Sequence, residues 1–275
     1  MRLGGPVYDY QSPEQWVAAV RAAGYRAAYC PLEAAAGADV IAAYAQAARQ
    51  ADIVIAEVGA WSNPLSPEPA TRQAALDKCR RQLALADEIG ALCCVNISGS
   101  RGAQWDGPHP DNLTPATFEL IVETVRGIID AVQPRRASYC LETMPWAYPD
   151  SIDSYLRLIA AIDRPAFGVH FDPVNLISSL DRYTHNGAFI RDAFDQLGPH
   201  IKSVHIKDVR LEPRLTLHLE EVRPGLGSLD YRTLLTCAHR LDPDLPLMLE
   251  HLPREEYPPA AAYVRETAQA LGLGL

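Results

Sequence analysis

The sequence predicts an α/β fold, a single (β/α)8 TIM barrel over residues 1–275, on three observations. Short apolar runs recur eight times along the chain. Each tends to be followed by a turn and a longer segment whose apolar residues repeat at helical spacing. No linker or low-complexity tract breaks the series, and strands alternating with helices imply one parallel sheet.

Taken in order, the candidate strands are Met1–Gly4, Arg26–Cys30, Asp52–Glu57, Leu92–Ser98, Ser138–Glu142, Phe167–Asp172, Ile201–Ile206 and Leu247–Glu250. The helices between them carry start signals. Ser12 precedes Pro13, with Gln15 at capping-box spacing. Crossovers run over about 37–51 and 66–89. Thr114-Pro115 repeats the cap-proline device before Phe118, Ile121, Val122, Val125, Ile128, Ile129 and Val132, which share one face. Ser151 precedes Tyr155, Leu156, Ile159 and Ile162. Asn186 precedes Phe189, Ile190, Ala193 and Leu197, with Gly198 as a stop, and Ser228 opens a helix through Leu234, Leu235 and Ala238. A doubly wound sheet would want a Gly-x-Gly-x-x-Gly turn after the first strand, and Leu3-Gly4-Gly5-Pro6 does not supply it.

Acids exceed bases 34 to 25, for a formal charge of -9. Binding a phosphate backbone needs the opposite balance, so no nucleic acid partner is expected. None of the six cysteines forms a CxxC pair, and four lie in apolar runs, where a thiol behaves as a small hydrophobe. A reduced cytoplasmic setting is the expectation. The opening MRLGGPVYDY has no apolar signal core, and no membrane span is legible.

In a parallel barrel the strand C-termini face the active site. Four apolar strands end in metal-ligand types, Glu142, Asp172, His205 and Glu250, at intervals of 30, 33 and 45 residues. One βα unit separates each pair, so the four side chains can converge. A lone strand-end glutamate reads as a solvated cap. Four on successive strands would repel one another without a cation. Three carboxylates and one imidazole make a hard site suited to Mn²⁺, with Mg²⁺ or Co²⁺ as alternatives and Zn²⁺ left open.

Other strand-end and loop residues are candidates for substrate contact: Glu57 with Trp61, Asn96, Ser98 and Arg101, Trp105 and His109 in the long loop over 99–113, Trp146, Asn175, Lys207 and Arg223. Trp61 equally suits a barrel roof. Arg101, Lys207, Arg210 and Arg223 are the basic choices for a phosphate. Asp208 reads as an orienting partner to the ligands or a solvated turn residue, His170 as packing beneath the metal layer, and His251 as pointing outward.

Cys140-Leu-Glu142-Thr-Met-Pro, Val169-His-Phe-Asp172-Pro-Val-Asn175, Ser203-Val-His205-Ile-Lys207-Asp208 and Met248-Leu-Glu250-His resemble the strand-end motifs of the xylose-isomerase-like barrel superfamily. Pro224-Gly-Leu-Gly227-Ser-Leu-Asp230 is similar to its glycine loop. The resemblance implies metal binding by Glu142, Asp172, His205 and Glu250, with Glu142 and Glu250 as the acid/base pair on opposite faces of the substrate. It implies a divalent-metal-dependent isomerase or epimerase of a small sugar, keto-sugar or sugar phosphate. A metal-chelated carbonyl would lose an adjacent proton through an enediolate. Two readings stay open beside this: a lyase or dehydratase on a keto-inositol or 3-keto-glycoside, and a non-catalytic sugar-binding barrel. Asn175 stands where ketose 3-epimerases of the superfamily place histidine, which favours another branch. Assembly through the outer helices into a homo-oligomer is implied by resemblance alone.

Overall fold

The computed structural model describes residues 1–275 and closes eight parallel strands into a barrel ringed by helices. The order along the chain is β1 (Arg2–Gly5), α1 (Pro13–Ala22), β2 (Ala27–Tyr29), α2 (Ala38–Ala51), β3 (Val54–Gly59), α3 (Pro69–Ile89), β4 (Cys93–Asn96), α4 (Pro115–Val132) and β5 (Ser138–Glu142). It continues with α5 (Ile152–Ile162), β6 (Phe167–Phe171), α6 (Pro173–Leu176), α7 (Leu180–Thr184), α8 (Asn186–Leu197) and β7 (Ile201–Ile206). A hairpin of β8 (Asp208–Glu212) and β9 (His218–Val222) follows, then α9 (Tyr231–Leu241), β10 (Pro246–Leu249) and α10 (Tyr257–Ala270). Strands β1 to β7 neighbour one another in sequence order, and β10 closes the ring between β7 and β1. All eight predicted strands form.

Cap chemistry explains most helix starts. Ser12, Thr114 and Ser151 each accept a backbone N–H from the first turn, at Gln15, Thr117 and Ser154. Two expected starts shift. The helix expected from Ser228 begins at Tyr231, because Asp230 accepts from Thr233 N and takes the capping role. Asn186 is the first residue of α8 rather than its cap. Its amide is drawn off to the carbonyls of Tyr183 (2.7 Å) and Ser228 (3.1 Å), which staples α7 to the loop before α9.

The helices bury their apolar faces on the outside of the barrel in one continuous core that includes Trp16, Tyr139, Tyr155 and Tyr231. The barrel interior is filled by small or slender groups instead, Ala27, Ala56 and Met248 in one cluster and Cys93, Val95 and Cys140 in another. Gly4 belongs to this packing: a Cβ there would stand 2.6 Å from Met248 Sδ and from the Ala27 carbonyl. Above these residues the interior turns polar, with Glu57, His170, Ser203 and His205 all buried. The hairpin β8–β9 was not expected from the sequence. It projects from the mouth directly after β7 and carries new side chains to the rim.

Candidate metal centre and pocket

Each candidate ligand is placed by its strand and held by a local bond. Glu142 ends β5 and pairs in register with His170 on β6. Thr143 ties these ends together, since its hydroxyl donates to the Asp172 carbonyl (2.8 Å) and accepts from Asp172 N (3.0 Å). Asp172 then divides its carboxylate. Oδ1 caps the short helix α6, taking Val174 N (2.9 Å) and Asn175 N (3.1 Å), which leaves Oδ2 facing the barrel mouth. His205 on β7 points Nδ1 at Glu142 Oε1 and Glu250 Oε1, both 3.0 Å away. One donor atom from each of Glu142, Asp172, His205 and Glu250 lies within 4.8 Å of every other, and all four residues have little exposure.

The charges around these atoms are unbalanced. Burial pushes the Glu142 carboxyl up, to about 7, and the neighbouring charge of Glu250 adds to this. For Glu250 burial acts the same way, but His205 and Lys207 outweigh it and hold that carboxyl below its usual range. His205 is pushed down by burial, then carried well above its usual value by Glu250, Glu57 and Glu142. Lys207, 2% exposed, sets Nζ 2.5 Å from Glu250 Oε1 and 2.7 Å from Asp172 Oδ2. Both contacts are close charges without hydrogen-bond alignment, so these two oxygens stay buried and lack a directed donor. Orphaned carboxylate oxygens beside an imidazole nitrogen are what a hard divalent cation takes up, and the residues present fit one.

His205 has a second face. Its Nε2 meets Glu57 Oε1 at 3.0 Å. Glu57 Oε2 in turn accepts from Ser203 Oγ (2.9 Å) and stands 3.0 Å from His170 Nε2. Burial, with the adjacent His205, pushes His170 down to about 4, so it is neutral at ordinary pH. A carboxylate behind a ligating histidine fixes which nitrogen faces the metal. Glu57, expected to touch substrate, is thus corrected to a position behind His205, at 1% exposure. The reason is register. Strand β3 runs on to Gly59, so Glu57 lies one layer below the strand end.

A cavity of about 560 Å³ opens above the four ligands. Of the expected contacts, Trp61, Trp105, Trp146, Asn175 and Lys207 line it, as do Glu142 and Glu250. Trp61 lies with its ring centre 6.3 Å from that of His205, and Asn175 Nδ2 reaches Glu142 Oε1 at 3.4 Å. Five others are brought elsewhere. Asn96 is buried and braces the Trp61 loop through Ser62 N (3.1 Å) and the Ser62 carbonyl (3.2 Å). Ser98 is buried without a partner. Arg101 donates to the Leu65 carbonyl, and the His109 ring accepts from Asp111 N as a local cap. Arg223 pairs with Glu256 at 2.6 Å. Asn96, Arg101 and His109 are loop braces, because a polar loop must satisfy its own backbone first.

Asp208 is corrected too. It touches neither ligand nor pocket, and accepts four backbone amides, from Val209 (2.8 Å), Leu229 (2.9 Å), Gly225 (2.9 Å) and Gly227 (3.1 Å). A Cβ at Gly227 would stand 2.3 Å from Asp208 Oδ1, which explains the glycine there. Sequence reasoning missed Tyr29, Glu221 and His251, which also line the cavity. Glu221 arrives on β9. His251 takes a left-handed backbone (φ 55°) that turns its ring back over the mouth, 3.2 Å from Glu221 Oε1 and 3.4 Å from Lys207 Nζ. Only the alternation rule spoke about His251, and the turn overrides it.

A closed parallel barrel with a carboxylate-rich centre at the strand C-termini defines a class of protein before any comparison is made. The model of the xylose isomerase-like TIM barrel family matches residues 17–271, and the chain belongs to that family. No curated protein matches it by sequence. Among solved structures, it is similar to the 3-keto-D-glucoside 4-epimerase YcjR from E. coli at 13% identity and TM-score 0.70, covering 97% of this chain and 99% of that one. It is similar to the probable 3-DHS dehydratase AsbF from Bacillus anthracis at 17% identity and TM-score 0.69, over 96% and 98%. A xylose isomerase-like TIM barrel protein from Mycobacterium smegmatis, in complex with magnesium, matches at 18% identity and TM-score 0.68, over 95% and 89%. At these identities the likeness is one of fold. No helix is long and apolar enough to cross a membrane.

Proposed function

We propose that the protein is a divalent-metal-dependent isomerase or epimerase of a small sugar or keto-sugar, with Mn²⁺ as the preferred ion. The observation that carries this is the convergence of Glu142, Asp172, His205 and Glu250, whose donor atoms lie within 4.8 Å of one another at the end of the barrel where the strands finish. Glu142 ends β5 and Glu250 follows β10, and two carboxylates reaching one centre from separate strands suit an acid/base pair. Glu142, Asp172, His205 and Glu250 would hold the ion. When bound, it would polarise a substrate carbonyl and the adjacent hydroxyl, acidifying the C–H between them.

The protein's own groups do the rest. One of Glu142 and Glu250 accepts the proton from one face. The other returns one to the opposite face, which inverts the centre, or to the neighbouring carbon, which moves the carbonyl. Asn175 Nδ2, 3.4 Å from Glu142 Oε1, orients that carboxyl. Trp61 covers His205 and keeps water from the reacting atoms. The same abstraction serves an elimination, and a dehydratase shares this fold. A non-catalytic barrel would have no use for two proton-transfer groups.

The test is deuterium uptake. Metal-stripped protein, with and without Mn²⁺, is incubated in D2O with ketoses, keto-glycosides, inososes and sugar phosphates. Metal-dependent exchange beside the carbonyl, lost in Glu142→Gln and Glu250→Gln, supports the reading. A product lighter by water or by a leaving group turns it to the lyase. Sugar binding that survives both substitutions, with exchange absent from the wild type, would leave the binding module.

A further inference from the structure

The cavity is larger than its metal end requires. At about 560 Å³ it sits within the range, about 300–1,000 Å³, that takes ligands well beyond a monosaccharide. Trp61 lies deep, over His205, while Trp105 and Trp146 are 40% and 41% exposed at the mouth. Two half-open indoles beside the cavity leave aromatic faces free to meet a ligand.

These two tryptophans come from different loops that are braced into one rim. Trp146 Nε1 donates to the Asp106 carbonyl (2.7 Å). Buried Asn112 donates to the carbonyls of Trp146 (3.1 Å) and Gly107 (3.1 Å), and accepts from Arg101 N (2.8 Å). Asp106 itself lines the cavity, with one oxygen engaged by Gln104 Nε2 at 3.0 Å. Arg101, the basic residue of this loop, is turned away onto the Leu65 carbonyl.

We propose that this rim is a second saccharide subsite, so that the substrate is a glycoside of at least two rings. The reacting ring rests at the ligand cluster. A second pyranose, joined to it by a glycosidic bond, lies with its C–H face on Trp105 and Trp146 and a hydroxyl on Asp106. Three features select a sugar ring. Indole faces pack against pyranose C–H surfaces, as they do against other apolar faces. A carboxylate beside them accepts hydroxyls and repels anions. No free cation stands on the rim to hold a phosphate. An aryl group would use the tryptophans but have no use for Asp106. The inference rests on the carbohydrate reading above.

The experiment is isothermal titration calorimetry of the Mn²⁺-loaded protein with glucose, cellobiose and phenyl β-D-glucoside. Cellobiose is expected to bind about tenfold or more tighter than glucose. Trp105→Ala and Trp146→Ala remove that gain and leave glucose binding alone. Trp105→Phe and Trp146→Phe, which keep an aromatic face and the loop packing, retain most of it. Asp106→Ala weakens cellobiose and spares the phenyl glucoside. Equal affinity for glucose and cellobiose overturns the subsite. A cellobiose affinity indifferent to Asp106→Ala, with a phenyl glucoside bound more tightly, overturns the saccharide assignment in favour of an aryl group. Deuterium exchange is scored separately, so exchange on monosaccharides with no cellobiose preference refutes the subsite and spares the function. Binding of none of the three, with no exchange, refutes both.

Discussion

The two ends of the barrel handle charge in opposite ways. Where the strands begin, Arg2 contacts Asp52 and Asp244 at 2.8 Å each, and Arg26 contacts Asp52 at 2.6 Å, so two cations meet two acids. Where the strands end, Glu57, Glu142, Asp172, Glu221 and Glu250 gather around one lysine and three histidines, His170, His205 and His251. One end is balanced and holds the frame. The other keeps an excess of negative charge out of water, which costs stability unless a cation enters. The difference separates residues that keep the fold from residues that keep a function.

Removing Lys207 should sharpen that contrast most. Lys207→Met leaves Asp172 and Glu250 buried with less compensation, a loss of about 3 kcal/mol in chelator-treated protein. Mn²⁺ should restore most of it, as read from urea unfolding with and without the ion. Equal losses in both conditions would mean that Lys207 serves packing rather than charge. Next comes Glu57, whose contact with His205 Nε2 sets the orientation of that imidazole. Glu57→Gln should lower Mn²⁺ affinity about 10-fold and Glu57→Ala about 100-fold by calorimetric titration. Unchanged affinity in both would sink the orienting role.

A smaller effect compares two aspartates with the same task. Asp87, where the strands begin, accepts from Arg135, Arg136 and Ala137 N, while Asp208, where they end, accepts four amides. Burial pushes Asp87 up, but its amides outweigh this and hold the carboxyl below its ordinary 3.8. Its stabilisation is therefore full above 3.8 and lost as pH falls through the lower folded value. At Asp208 burial wins over the amides and raises the carboxyl, so its contribution is present at low pH and lost as pH rises from 3.8 through the folded value. Asp87→Asn and Asp208→Asn should each change stability by about 1 kcal/mol, with opposite pH slopes between pH 3 and 6 in urea titrations. Parallel slopes would contradict the burial argument. Least of all, Arg223→Ala should cost under about 0.5 kcal/mol and leave substrate affinity unchanged, since its partner is the half-exposed Glu256. A large rise in KM would return Arg223 to the substrate.

The eight strands were legible because each is a short apolar run in a chain with no competing punctuation, and the convergence of Glu142, Asp172, His205 and Glu250 because strand ends can be counted. What the sequence hid follows from rules acting at one residue. Glu57 sits at an apparent strand end, yet pairing with Cys93 carries β3 two residues further and sinks it beneath the mouth. The hairpin is half-exposed and charged, with Arg210 facing Glu212 and Glu220, so no apolar alternation announced it. Glu221 was hidden with it. His251 was assigned by alternation, which fails as soon as the backbone turns left-handed. Asn96 and Arg101 have the letters of a binding loop, and only the fold shows that their donors serve carbonyls next to them.

The imidazole of His205 is gripped at both nitrogens, by Glu57 behind and by the cluster in front. A ring held this way has no rotational freedom to exchange one nitrogen for the other. An arriving ion therefore meets the same atom in the same direction every time, and the N–H shared with Glu57 is shut away from solvent. That proton should exchange with water slowly, so it offers a resonance through which ion entry could be watched from inside the barrel wall.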